Sequence, residues 1–159
     1  MAPETDNYQP PAKAQKVVAK PEYTFNMNKA LDKAVETKSF KEILELPPSA
    51  LQGLAESADA KMQKMKIKTI RDLGQWKYYQ IAKSIQTLAA TEEADKRDAA
   101  GEANLNAALD KEYETKTFTE MLEAPISSLS GLAEWVDDEV SAFRPGIRTV
   151  KDLANWQYC

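Results

Sequence analysis

Residues 28–56 read NKALDKAVETKSFKEILELPPSALQGLAE, and residues 106–134 read NAALDKEYETKTFTEMLEAPISSLSGLAE. About two-thirds of the aligned positions are identical. The match resumes at Ile67 and Ile147, after two extra residues around Arg144-Pro145-Gly146, and runs through IKTIRDL and IRTVKDL. Self-similarity at fixed spacing is the mark of a duplicated structural unit. The chain therefore divides into an arm (residues 1–26), copy one (27–95), a charged hinge (96–105) and copy two (106–159).

Each copy carries helix-start signals in front of apolar stripes. Ser39 with Glu42, and Thr117 with Glu120, have the spacing of capping boxes, in which a hydroxyl and a carboxylate satisfy each other's backbone N–H groups. Thr69 with Asp72 and Thr149 with Asp152 use the shorter acid in the same role. Ser49 with Gln52 predicts a further start, entered through Pro47-Pro48. The helix expected there carries Leu51, Leu54, Ala55, Ala58, Met62 and Met65 on one face, and its twin carries Leu129, Leu132, Ala133, Val136, Val140 and Phe143. A last helix is expected to run unbroken from Ile70 to about Asp95, burying Ile70, Gly74, Tyr78, Ile81, Ile85 and Leu88. Gly101 marks the hinge. No segment alternates as a half-buried strand does, so the fold class is all-α, two four-helix units in tandem.

The chain has 159 residues, no histidine and one cysteine, Cys159. Without imidazole there is no Ser or Cys triad and no nitrogen-ligated metal, and one thiol makes neither an internal disulfide nor a thiolate cage. No catalytic residue, metal ligand or cofactor site is read from the sequence, and the expectation is a non-enzyme. No apolar run of about eighteen residues exists to span a membrane, and the first residues lack the apolar region of a secretory signal. The net charge of −4 is uneven. Residues 27–92 hold eleven Lys/Arg against eight Asp/Glu, whereas residues 93–159 hold seven against fourteen. The copies should present opposite fields.

The repeated core LxGLA, followed by IxT[IV]xDL, resembles the helix-hairpin-helix family. In nucleic-acid-binding members of that family a glycine turn offers backbone N–H groups to a phosphate. Carried over, that implies such roles for Gly53 and Gly131. The chain departs from the pattern: the second glycine is Ala55 or Ala133, and acids follow at Glu56, Glu134, Asp137, Asp138 and Glu139. A phosphate backbone would meet negative charge there. Copy one is the less hostile, since Lys61, Lys64, Lys66, Lys68 and Arg71 cluster around its later turn. Those five are the candidate contacts to an anionic surface, weighed against a plain solvated face.

The stretch from Thr69 to Glu93 also resembles small linker subunits that ride on photosystem–antenna supercomplexes of red-lineage algal plastids, on Thr69, Asp72, Leu73, Trp76, Tyr78, Ala82, Ile85, Leu88 and Ala89. That resemblance implies a membrane-peripheral plastid connector of photosystem I and its light-harvesting antenna. It implies no cofactor of its own beyond peripheral contact with a partner's chlorophyll or carotenoid. Aromatic residues supply the candidate partner contacts. These are Tyr8, Tyr23 and Phe25 of the proline-rich arm, Trp76, Tyr79 and Lys83 on the side of the long helix away from its stripe, and Trp135, Trp156 and Tyr158 of copy two. Trp76 and Trp156 recur at the same place, which also suits packing on the preceding helix. The leading expectation is a structural adaptor, and the alternative is a nucleic-acid-associated module acting through copy one.

Overall fold

The computed structural model describes residues 26–93, 96, 98 and 100–159. Among them there is no β-strand, and the fold is all-α. In copy one, 3-10 turns at Asn28–Ala30 and Lys33–Val35 precede α1 (Phe40–Leu44). A 3-10 turn at Pro48–Ala50 then leads to α2 (Glu56–Lys64), α3 (Ile70–Gly74) and α4 (Lys77–Ala89). Copy two repeats the order only as far as α3, with 3-10 turns at Asn106–Ala108 and Lys111–Tyr113, α5 (Phe118–Leu122), a 3-10 turn at Ile126–Ser128, α6 (Trp135–Ser141) and α7 (Val150–Ala154); with no counterpart of α4 among the described residues, the expected pair of four-helix units is not found.

Helices this short do not stand alone in water. Four of the five predicted capping boxes are formed and fix where α1, α3, α5 and α7 begin. Long-range backbone bonds then tie the pieces, twice over. The Asp32 N–H donates to Ala50 O at 3.0 Å, and the Asp110 N–H donates to Ser128 O at 2.9 Å. The Ile70 N–H donates to Leu46 O at 2.8 Å, and the Val150 N–H donates to Ala124 O at 2.9 Å. One apolar core runs through both copies, from Leu31, Ile43 and Met62 to Met121, Ile126, Leu129 and Val140.

Two helix expectations are corrected. The helix foreseen from Ser49 does not start there. Pro48–Ala50 is a 3-10 turn, Leu51 is extended, Gly53 has φ +96°, and α2 begins at Glu56. Ser49 serves a different end: its N–H and hydroxyl donate to the Asp59 carboxylate at 2.9 and 2.6 Å, stapling the turn to α2. Leu51 and Leu54 are still buried, but from the turn rather than from a helical stripe. The long helix is also broken, between Gly74 and Lys77, where Trp76 is extended at ψ 109°. The break resets the register, so the stripe counted from Ile70 holds only in part: Ile85 is buried as expected, Tyr78 and Ile81 are half-buried, and Gly74 and Leu88 are exposed. Ala82 and Ile85 are fully buried, whereas Leu88 is 40% exposed.

The break also redirects the chain. Beyond it, α4 leaves its own copy and packs on α5 and α7 of copy two. Lys83 Nζ donates to Ala154 O at 3.3 Å, at the end of α7, where helix carbonyls are unsatisfied. Gln86 Nε2 reaches Asn155 Oδ1 at 2.9 Å. The Glu92 carboxylate then accepts the backbone N–H groups of Phe118 and Thr119 at 2.8 and 3.0 Å, at the start of α5. Tyr79 and Lys83 were expected to face away from the core. Lys83 does stay exposed, with its Nζ reaching copy two, whereas Tyr79 is half-buried against the core.

Candidate functional site

The glycine turns singled out by sequence are where the two copies meet. Gly53 and Gly131 both have φ +96°, a conformation open to glycine and strained for other residues. A Cβ added at Gly53 would lie 2.5 Å from the hydroxyl oxygen of Tyr158, and one added at Gly131 would lie 2.7 Å from that of Tyr78. Tyr78 and Tyr158 are equivalent residues in the two copies. Each tyrosine is thus seated on the other copy's glycine turn, a reciprocal clasp with the form of a two-fold contact. The turn that could cradle a phosphate in a helix-hairpin-helix protein holds a tyrosine here.

Each clasping tyrosine is propped by an aromatic neighbour. Tyr78 meets Trp76 edge to face at 5.6 Å, and Lys77 Nζ stands 4.7 Å over the Tyr78 ring. Tyr158 meets Trp156 edge to face at 5.2 Å, and Trp156 stacks on Phe143 at 5.5 Å. Trp76 and Trp156, candidate partner contacts by sequence, are buried and spent on this packing.

Charge completes the joint. Lys61 Nζ donates to Glu139 Oε2 at 3.3 Å, and Lys64 Nζ donates to Glu139 Oε1. Those two lysine bonds, Lys64 first, hold the Glu139 carboxyl below its ordinary pKa. Glu139 stands in copy two where Lys61 stands in copy one. The opposite fields foreseen from the sequence therefore meet each other here.

The five basic candidates accordingly part company. Lys61 and Lys64 serve the joint, and Arg71 donates to Glu45 Oε1 from Nε at 2.9 Å and Nη2 at 2.6 Å. Lys66, at φ +64°, and Lys68 are exposed. Lys66 lines an open cleft of about 720 Å³ between the copies, with Lys77, Tyr78, Gly131 and Trp135. Trp135 is 45% exposed at the start of α6. Cys159 is half-buried, and burial pushes its thiol up to about 12. Tyr8, Tyr23 and Phe25 lie outside the described residues. Among the described residues, no acidic or sulfur cluster has the grouping to hold a metal, and no helix is long and apolar enough to cross a membrane.

Sequence reasoning missed the clasp and its central acid. The signal was present: after the capping box both copies keep Trp and Tyr at the same spacing, while Tyr79 and Cys159 differ. Comparison of the chain with protein-family models, with curated proteins and with solved structures found no match.

Proposed function

We propose that the chain is a non-catalytic structural adaptor that bridges subunits of a larger assembly through two diverged helix-hairpin-helix-like units. One observation carries this reading. Two large apolar side chains with substantial exposure have no equivalent in the other copy: Leu88, 40% exposed, in copy one and Trp135, 45% exposed, in copy two. Trp135 stands where copy one has Ser57, and tryptophan is costly to leave in water and enriched at interfaces. Two copies locked together by the clasp, each with its own apolar anchor, suit two different partners held at fixed separation. The resemblance of residues 69–93 to antenna linker subunits names the setting we propose, the periphery of a plastid photosystem I–antenna supercomplex.

The test is site-specific photocrosslinking. A photoreactive residue is placed at position 88 or 135 of the full chain, which is then added to solubilised thylakoid supercomplexes of a red-lineage alga. The expected result is two different adducts, identified by mass spectrometry. Adducts no stronger than those from a solvent-facing control at Ala60, or the same adduct from both positions, would refute bridging.

A further inference from the structure

The joint is reciprocal at its tyrosines but not at its flanks. Beside Tyr158, Phe143 stacks on Trp156 at 5.5 Å. The counterpart of Phe143 is Met65, which is half-buried and has no ring to stack on Trp76. Met65 and Trp76 line the open cleft of about 720 Å³ between the copies. Its apolar lining also includes half-buried Leu132 and exposed Trp135. Lys64, Lys66, Lys77 and the carboxylate of Asp72 line it too. Two of these charges are already engaged. Lys64 donates to Glu139, and Asp72 Oδ2 accepts the N–H groups of Lys68 and Thr69, each at 3.0 Å. The others stand exposed. Among the described residues, Lys66 and Trp135 have no side-chain hydrogen bond, ion pair or ring contact, and Lys77 Nζ meets the Tyr78 ring alone. Lys66 is also held where side chains are disfavoured, at φ +64°. Its N–H and that of Ile67 close the end of α2, donating to Gln63 O and Met62 O at 3.0 Å each, at a position where glycine is usual. A lysine kept there points to use of its side chain.

We propose that this cleft is a docking site for an acidic segment of a partner protein. The segment seats an apolar side chain among Met65, Leu132 and Trp135 and turns neighbouring carboxylates toward Lys66 and Lys77. Charge complementarity names the occupant. The two cations without an ion pair belong to copy one, whereas Glu134 and Asp138 are exposed on either side of Trp135 in copy two. An acid is therefore drawn to one wall and repelled from the other, which fixes the direction in which the segment lies. A methionine beside the aromatic rings adapts to the shape of the side chain that enters. A nucleic-acid strand would meet the same two lysines, but its phosphates would also meet Glu134 and Asp138. The cleft is open, so it covers one side of a chain segment rather than enclosing a small molecule as a ligand pocket does. The proposal rests on the adaptor reading and names the chemistry of the partner that reaches Trp135.

The probe is a phage-displayed library of random dodecapeptides, panned against the full chain at low salt. Enriched peptides are resynthesised with a fluorophore and titrated by anisotropy. They are expected to combine Asp or Glu with an apolar anchor and to bind less tightly as salt is raised. Binding should fall about tenfold or more in the double variant Lys66→Glu, Lys77→Glu and in Trp135→Ala. Lys66→Gly separates binding from folding. It should raise the melting temperature, because φ +64° suits glycine, yet weaken peptide binding about threefold or more. The proposal is overturned by no enrichment, by enriched peptides without net negative charge, or by these variants binding like wild type. Binding that appears only once residues 1–25 are removed would show that the chain fills its own cleft, and overturns it equally. So does a single-stranded RNA that competes at the same residues and binds more tightly than the peptides. Crosslinks from positions 88 and 135 that survive the lysine reversals would leave the adaptor reading standing and sink this one. One shared adduct alongside acidic-peptide binding would do the reverse.

Discussion

Replacing Gly53 with alanine tests the clasp most directly. Two penalties are expected. The φ of +96° disfavours any L side chain by about 1–2 kcal/mol, wherever Tyr158 lies. The new methyl also stands 2.5 Å from the Tyr158 hydroxyl oxygen, well inside contact distance. That ring cannot simply swing aside, because it abuts Trp156, itself stacked on Phe143. Overpacking of this kind costs about 1–3 kcal/mol, so the single variant should lose about 2–5 kcal/mol in total. Tyr158→Phe removes the obstructing oxygen and leaves the ring. In that background Gly53→Ala should cost only the backbone penalty, about 1–2 kcal/mol. Urea unfolding of the wild type, both single variants and the double variant closes the cycle. A favourable coupling of about 1 kcal/mol or more is expected, and the Gly131/Tyr78 cycle should match it. Strict additivity in both cycles would show that the hydroxyls do not rest on the glycine turns, and the reciprocal joint would fall with them.

Three further outcomes follow from individual groups. The hydroxyl of Ser128 is buried with no partner, and its counterpart in copy one is Ala50. Ser128→Ala should therefore stabilise the chain by about 1 kcal/mol, read by urea unfolding, and a loss of that size would reveal a bond to this hydroxyl. Lys61→Glu sets like charges together at the joint and should lower the melting temperature. Adding Glu139→Lys restores opposite charge and should recover part of the loss at low salt but little at high salt, and a double variant worse than both singles would deny the pairing. Finally, Glu42, Asp72, Glu120 and Glu139 are all held below their ordinary pKa, chiefly by hydrogen bonds from Ser39, Lys68, Thr117 and Lys64 in turn. A carboxylate depressed in the folded state stabilises the fold above its unfolded pKa and loses that contribution as pH falls through the folded one. Melting temperature should hold level at neutral pH and fall below about pH 4, and a flat profile down to pH 2 would exclude these carboxylates as stabilising groups.

The parts of the fold legible in the sequence are those written in local chemistry. A capping box needs two residues three apart, and each of the four that formed as read sits before a short helix that starts where expected. The failures occur where distant contacts decide. Ser49 and Gln52 have the spacing of a cap, but Ser49 has a better acceptor in Asp59, ten residues on. Helical counting turned Tyr79 away from the core, because a stripe on one helix does not reveal what else packs against its other side. The same limit hid the joint. Lys61 looked like part of a basic patch because its acceptor, Glu139, lies seventy-eight residues away.

That Lys61 and Glu139 occupy equivalent positions explains why two copies this similar have diverged in charge. In a reciprocal joint a residue near the axis faces its own counterpart. Two identical lysines there would repel, and so would two identical glutamates. A duplicated chain escapes this in a way that a pair of identical subunits cannot, because each copy can change alone. Lysine on one side and glutamate on the other turn self-repulsion into an ion pair with two donors, Lys61 and Lys64. The same freedom lets copy one send α4 across onto α5 and α7 while copy two, among the described residues, has no matching helix to send back, which no symmetric pair would permit. The symmetric features, glycine turn and tyrosine, hold the copies together. The asymmetric ones, Trp135 against Ser57 and Glu139 against Lys61, are where the two copies offer different chemistry.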